Sequence, residues 1–225
     1  MTTNRVVGID GCKGGWVAVA RDKDRWQWRT AAVDEISTLI DEDATTGIDI
    51  PIGLLEHGER ECDLLARRAL PGAASRVFLT PPRAVLELGW SAPNDVAQDL
   101  SRRLMGKGVS RQALALGPRV LAVDAVVRQR PQATVIEVHP ELSFAAMGDG
   151  VPLPSKKTAE GVARRVGALR SAYAGIDDVL ARMPERVPVD DCLDALAVLW
   201  SAERWRDRRA LTLPAATRTP PFIAT

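Results

Sequence analysis

Apolar and polar positions change period several times along the chain, and each change marks an element. Residues 5–10 are an apolar run that ends on Asp10. The glycine-rich turn Gly11-Cys12-Lys13-Gly14-Gly15 follows, and residues 15–21 are apolar again. Two apolar runs joined by a glycine turn predict a β-hairpin. After Asp22-Lys23-Asp24, residues 25–32 place Trp26, Trp28 and Thr30 at every second position, the period of a strand with one buried face. Asp34 then caps a short predicted helix with Ile36, Leu39 and Ile40 on one side. Residues 45–54 form another apolar run with one acid inside it, Asp49, ended by Pro51 and Gly53. A strand reached through a helical crossover runs parallel to the strand it left. That places Asp49 beside Asp10 at one sheet edge, where α/β folds bind ligands.

Residues 56–130 read as a helical section inserted into this layout. Residues 59–70 predict a helix with Cys62, Leu65, Ala66 and Ala69 in one stripe, ended by Pro71-Gly72. Residues 76–83 should be extended, because each proline holds its predecessor out of the helical region. Helices are expected at 94–105 and 110–130, the second interrupted at Gly117-Pro118. Residues 133–144 predict a third buried strand bearing Glu137, with His139 and Glu141 behind it. A helix opens at Ser155-Lys156-Lys157-Thr158, with Val162, Val166, Leu169 and Tyr173 on its apolar face. The last helix starts near Asp190 and carries Asp191 and Asp194 on one face. From Pro214 the chain is expected to be extended or frayed.

Composition narrows the picture. The chain has 225 residues, 46% hydrophobic and 26% charged, which predicts one globular α/β domain over 1–225 with an insertion at about 56–130. A net charge of +1 lacks a global basic footprint for nucleic acid. Cys12, Cys62 and Cys192 are far apart and show no metal-finger spacing, which fits a reduced, cytoplasmic protein. The chain enters its first strand at once, so no signal segment is expected. No apolar run is long enough to span a bilayer, so no membrane partner is expected; a homo-oligomer is left open.

The chemistry lies in the acids. Three predicted strands each carry a carboxylate into apolar surroundings, and Asp191 and Asp194 add two more. Burying unpaired carboxylates is costly, and crowding them is worse. A hard divalent cation with oxygen ligands, Mg²⁺ or Mn²⁺, relieves the crowding. Two such ions can activate water and stabilise a leaving oxygen in phosphoryl transfer. The expected metal ligands are Asp10, Asp49, Asp191, Asp194 and Glu137, the four aspartates being also catalytic. Plainer accounts stand beside these. Asp10 before a glycine is equally a turn residue, Asp190 and Asp191 are equally helix-start acids, and Glu137 is equally half of an ion pair. Lys13, Arg83, His139 and Lys156 are the expected substrate-binding residues, each readable also as a solvated or locally paired side chain.

The order of these elements resembles the ribonuclease H-like layout. Several stretches resemble a broad, poorly characterised prokaryotic family predicted to be nucleases of that fold. They are Gly8-Ile-Asp-Gly-Cys-Lys-Gly-Gly-Trp16, Ile48-Asp-Ile-Pro-Ile-Gly53, Phe78-Leu-Thr-Pro-Pro-Arg83, Gly108-Val-Ser-Arg-Gln112, Glu137-Val-His-Pro-Glu141, Ser155-Lys-Lys157 and Asp191-Cys-Leu-Asp-Ala195. The resemblance implies a mixed five-stranded sheet, first three strands antiparallel, flanked by helices. It also implies metal-dependent cleavage of nucleic acid or a nucleotide. Asp191-x-x-Asp194-Ala is similar to the helix motif of Holliday-junction resolvases, which usually carry a glutamate where this chain has the shorter Asp49. Two other functions stay open. Asp10 to Gly15 also resembles the first phosphate loop of actin-like ATPases, and a non-catalytic binding domain could retain the acids.

Overall fold

In a computed structural model, which describes residues 4–89, 91–215, 217 and 219–225, the opening meander forms from β1 (Val6–Cys12), β2 (Gly15–Asp22) and β3 (Arg25–Ala32). A 3-10 turn over Val33–Thr38 leads to β4 (Thr45–Ile48), and the helical section separates β4 from β5 (Thr134–Glu137). The sheet order is β3-β2-β1-β4-β5. β1 pairs antiparallel with β2, and β2 with β3, while β1, β4 and β5 run parallel. This is the expected five-stranded mixed sheet. Its parallel strands all end at the same edge.

Helices cover both faces. The section between β4 and β5 holds α1 (Glu61–Ala69), α2 (Arg83–Leu88), α3 (Asn94–Met105) and α4 (Arg111–Gln129). Beyond β5 come α5 (Pro140–Met147), α6 (Ala159–Ala172), α7 (Ile176–Leu180) and α8 (Val189–Arg206). Val7, Ile9 and Ile48 pack with Val120 and Val123 of α4 on one face. Val6, Val17, Ile136 and Val138 pack with Leu196, Val198 and Leu199 of α8 on the other. Each such fully buried aliphatic contributes about 1.5–3 kcal/mol.

Two glycines let α8 lie directly on the sheet. A Cβ on Gly8 would sit 2.2 Å from the Ala195 carbonyl oxygen and 2.4 Å from the Leu199 nitrogen, and one on Gly47 would sit 2.9 Å from Val198 Cγ1. Helix backbone therefore meets strand backbone with no side chain between.

Four boundaries differ from the sequence reading. The run 45–54 stops pairing as a strand at Ile48, although the Asp49 N–H still donates to the Ile9 carbonyl at 3.0 Å. The run 133–144 is strand only to Glu137; Pro140 then starts α5, because proline's fixed φ suits the first helical position. Pro118 does not interrupt α4, which is continuous with the proline on its exposed side. The tail is docked: β6 (Thr212–Leu213) pairs with β7 (Ile223–Ala224), Phe222 stacks on Trp205 at 4.9 Å, and Ile223 is buried. Ala216 and Arg218 of that tail lie outside the described residues. No helix among the described residues is long and apolar enough to cross a membrane.

Candidate active site

A cavity of about 640 Å³ opens at the edge where β1, β4 and β5 end, and Asp10, Asp49, Asp191 and Asp194 all line it. The period of the strands explains the convergence. Gly8 and Gly47 face α8, so Asp10 and Asp49, two residues further along, face the same way. Asp194 lies one turn inside α8, directly above that face. Glu137 obeys the same rule with the opposite result. Ile136 and Val138 pack on the α8 side, so Glu137 points to the other face of the sheet.

Asp10 is 6% exposed and Asp194 2%. Burial pushes the Asp10 carboxyl well above the usual range, and the neighbouring charges of Asp49, Asp194 and Asp191 push it further. Burial also raises Asp49, against the pull of His139 and Lys156. Asp10 Oδ1 accepts from the Gly11 N–H at 2.8 Å. Burial pushes Asp194 up to about 7 although Lys156 pulls it down. Lys156 Nζ is ion-paired with Asp194 Oδ2, while Asp194 Oδ1 is buried with no hydrogen-bond partner. Lys157 Nζ holds Asp190 at 2.5 Å, and Lys156 Nζ lies 3.9 Å from the same carboxylate.

Hard carboxylate oxygens crowded to the point of retaining protons, one of them unpartnered, are the donor chemistry that suits Mg²⁺ or Mn²⁺. With the side chains as they stand, no group of three or more described His, Cys, Asp or Glu residues is arranged to hold a metal ion. The Lys156 ammonium supplies positive charge at Asp194 instead.

The remaining expected residues divide. Lys13 lines the cavity and is exposed. His139 lines it too, with its Nδ1 buried and unpartnered. Arg83 does not line it. Its guanidinium is clamped on Asp124 by two bonds of 2.8 Å, because α2 packs against α4. Glu137 reaches the cavity wall, but its Oε2 is committed to the Ile52 N–H at 2.7 Å and to Arg60 Nη2 at 2.6 Å. This is the ion pair that the sequence left open beside metal ligation. Glu141 is held by Arg76 at 2.8 Å and by the fully buried Arg165 at 2.6 Å.

Two residues escaped sequence reading. Arg60 is 1% exposed and ties Glu137, Asp63 and Thr80 together. Its flank, Glu59 and Glu61, looks like an exposed helix start, so nothing signals burial. Arg119 lines the cavity from α4 and donates to the Cys12 carbonyl at 2.7 Å, 3.6 Å from where a Gly11 Cβ would lie. In sequence it is a helix-surface arginine like its neighbours.

Searches of curated proteins and of solved structures each returned no match to this chain. Residues 8–219 match the family described as "Protein of unknown function (DUF429)", a span that takes in Asp10, Asp49, Asp191 and Asp194, and the chain belongs to that family.

Proposed function

We propose that the chain is a metal-dependent phosphodiesterase acting on nucleic acid or a nucleotide. The observation that carries this reading is the convergence of Asp10, Asp49 and Asp194 on one cavity floor, with a buried Asp194 oxygen that no protein group satisfies. The sheet order and the single helix that brings Asp194 over Asp10 support the ribonuclease H-like comparison. Asp10, Asp49 and Asp194 would hold the divalent ion, with Asp191, half-buried on the same helix, completing the set. The ion supplies a nucleophilic water at neutral pH and charge stabilisation at the scissile phosphate.

The chain's own groups have separable tasks. Asp10 and Asp49, whose affinity for protons burial raises, must be ionised before they can ligate. Lys156 must leave Asp194, and its ammonium then lies beside the site as a phosphate contact. His139, with a free buried Nδ1 beside Asp49, is placed to take or hand on a proton at that atom. Arg119 and Lys13 hold the substrate's anionic oxygens.

A second reading has one observation in its favour. The Lys156–Asp194 pair neutralises the acid without a metal, as in a binding domain that performs no cleavage. One experiment separates the two. Purified protein is assayed against single-stranded, duplex and branched DNA, RNA and hybrid, with Mg²⁺ or Mn²⁺. Metal-dependent cutting that falls about 10²–10⁴-fold in Asp10→Asn and Asp194→Asn supports the first reading. Cutting that survives both substitutions rules out the first reading; no cutting and no Mn²⁺ binding supports the second.

A further inference from the structure

The substrate class follows from what is free to bind anions in the cavity. Among the described residues, five cationic side chains line it: Lys13, Arg76, Arg119, Lys156 and Lys157. Three are committed. Arg76 is on Glu141 at 2.8 Å, Lys156 on Asp194, and Lys157 on Asp190 at 2.5 Å. Lys13 is exposed and, among the described residues, has no ion-pair partner. Arg119 spends one nitrogen on the Cys12 carbonyl, while its Nε is buried with no hydrogen-bond partner. Among the described residues the site therefore offers two cations that no ion pair neutralises, and a third once Lys156 is released. Proteins that grip duplex DNA neutralise roughly 6–10 phosphates.

The walls agree with the charge. The walls around the floor acids come from Ser75, Val77 and Phe78 of the helical section, from Arg119 of α4 and from Ser155, Lys156 and Lys157. At about 640 Å³ the cavity is within the range of small-molecule sites, roughly 300–1,000 Å³. Among the described residues, Phe78 is the one phenyl or indole ring lining it, and it is only partly buried. A planar base can stack on such a ring with little regard to sequence.

We infer that this cavity takes a single nucleotide unit, with one or two phosphates between Lys13 and Arg119 and its base against Phe78, and does not take a continuous duplex. This rests on the phosphodiesterase reading for the chemistry, but the ligand class has its own test. The same ligand chemistry is found in a free nucleotide and in a single-stranded end.

The test measures binding by fluorescence anisotropy, with Ca²⁺ in place of Mg²⁺ to slow turnover. The probes are a labelled thymidine trinucleotide and a labelled dumbbell duplex with closed ends. The trinucleotide should bind at least about tenfold more tightly than the dumbbell. Two phosphate contacts predict a log–log salt slope of about −1.4 on a single strand. Arg119→Gln and Phe78→Leu should each weaken the trinucleotide about tenfold, with circular dichroism reporting that the fold is retained. Competition by thymidine monophosphate identifies a free-nucleotide site, and its failure to compete identifies a strand-end site; both fit the inference. Equal or tighter dumbbell binding, a slope for six or more contacts, or no binding of either probe overturns it. Trinucleotide binding without cleavage of any substrate leaves the ligand class standing and removes the phosphodiesterase reading.

Discussion

The Lys156 ammonium and the Asp194 carboxylate form an ion pair across the cavity floor, joining the loop before α6 to the first turns of α8. Asp194 is buried and Lys156 is a third exposed, so the lysine is the partner that can leave. If the proposed metal binds, Lys156 is the cation it displaces at the acid cluster.

Lys156→Ala should therefore have two opposed effects. Without metal, Asp194 loses its counter-charge, and stability should fall by about 1–3 kcal/mol in urea denaturation, the lysine's exposure keeping the cost below that of a fully buried pair. Mn²⁺ affinity measured by calorimetry should rise, because the ion no longer displaces an ammonium. Unchanged or weaker Mn²⁺ binding would show that lysine and metal do not compete.

The pH dependence has a definite sign. Asp194 titrates at about 7 in the folded protein, above the ordinary carboxylate value of an unfolded chain. Asp10 is raised in the same direction. The folded state thus holds these protons more tightly. The Asp194 contribution is complete below about pH 4 and is lost as pH rises to about 7, and that of Asp10 is lost in the same direction. A divalent ion must displace the same protons, so its affinity should climb through that range and level off above about pH 7. Melting temperatures in EDTA and in Mn²⁺ should diverge from about pH 5 to about pH 8, with the gap widest at the alkaline end. A gap independent of pH would place the ion elsewhere.

Glu137 separates structure from ligation. Glu137→Gln keeps the shape but removes the charge opposite the buried Arg60, and it should cost about 3–5 kcal/mol of stability. Mn²⁺ affinity should stay within about threefold of the parent. A large loss of affinity with stability intact would restore glutamate to the ligand set.

The strand acids illustrate what a sequence discloses. Asp10 and Asp49 were legible because each ends an apolar run, and a crossover aligns such ends. Asp194 was legible because an acid one turn inside an apolar helix is hard to leave unpartnered. Glu137 looked the same, yet the parity of one residue against Ile136 and Val138 sends it to the opposite face, where Arg60 meets it. Arg83 and Arg119 were indistinguishable in sequence. Which one faces the cavity depends on how α2 and α4 pack, and no local pattern encodes that.

Gly8 offers a last check. Gly8→Ala would drive a methyl into the Ala195 carbonyl, where backbone leaves no room, and should destabilise by about 1–3 kcal/mol or more. Denaturant midpoints measure the loss. The variant should also show lower Mn²⁺ affinity than its stability loss alone explains, because α8 and Asp194 lift together. Normal affinity in a folded Gly8→Ala protein would contradict this.

The spacing between the strand carboxylates and the helix carboxylate is thus governed by two absent methyl groups. A related chain could keep every aspartate and still fail to bring them together if it gained bulk at either glycine. Inventories of acidic residues alone would misjudge such a chain, and the standoff of the helix is the better criterion.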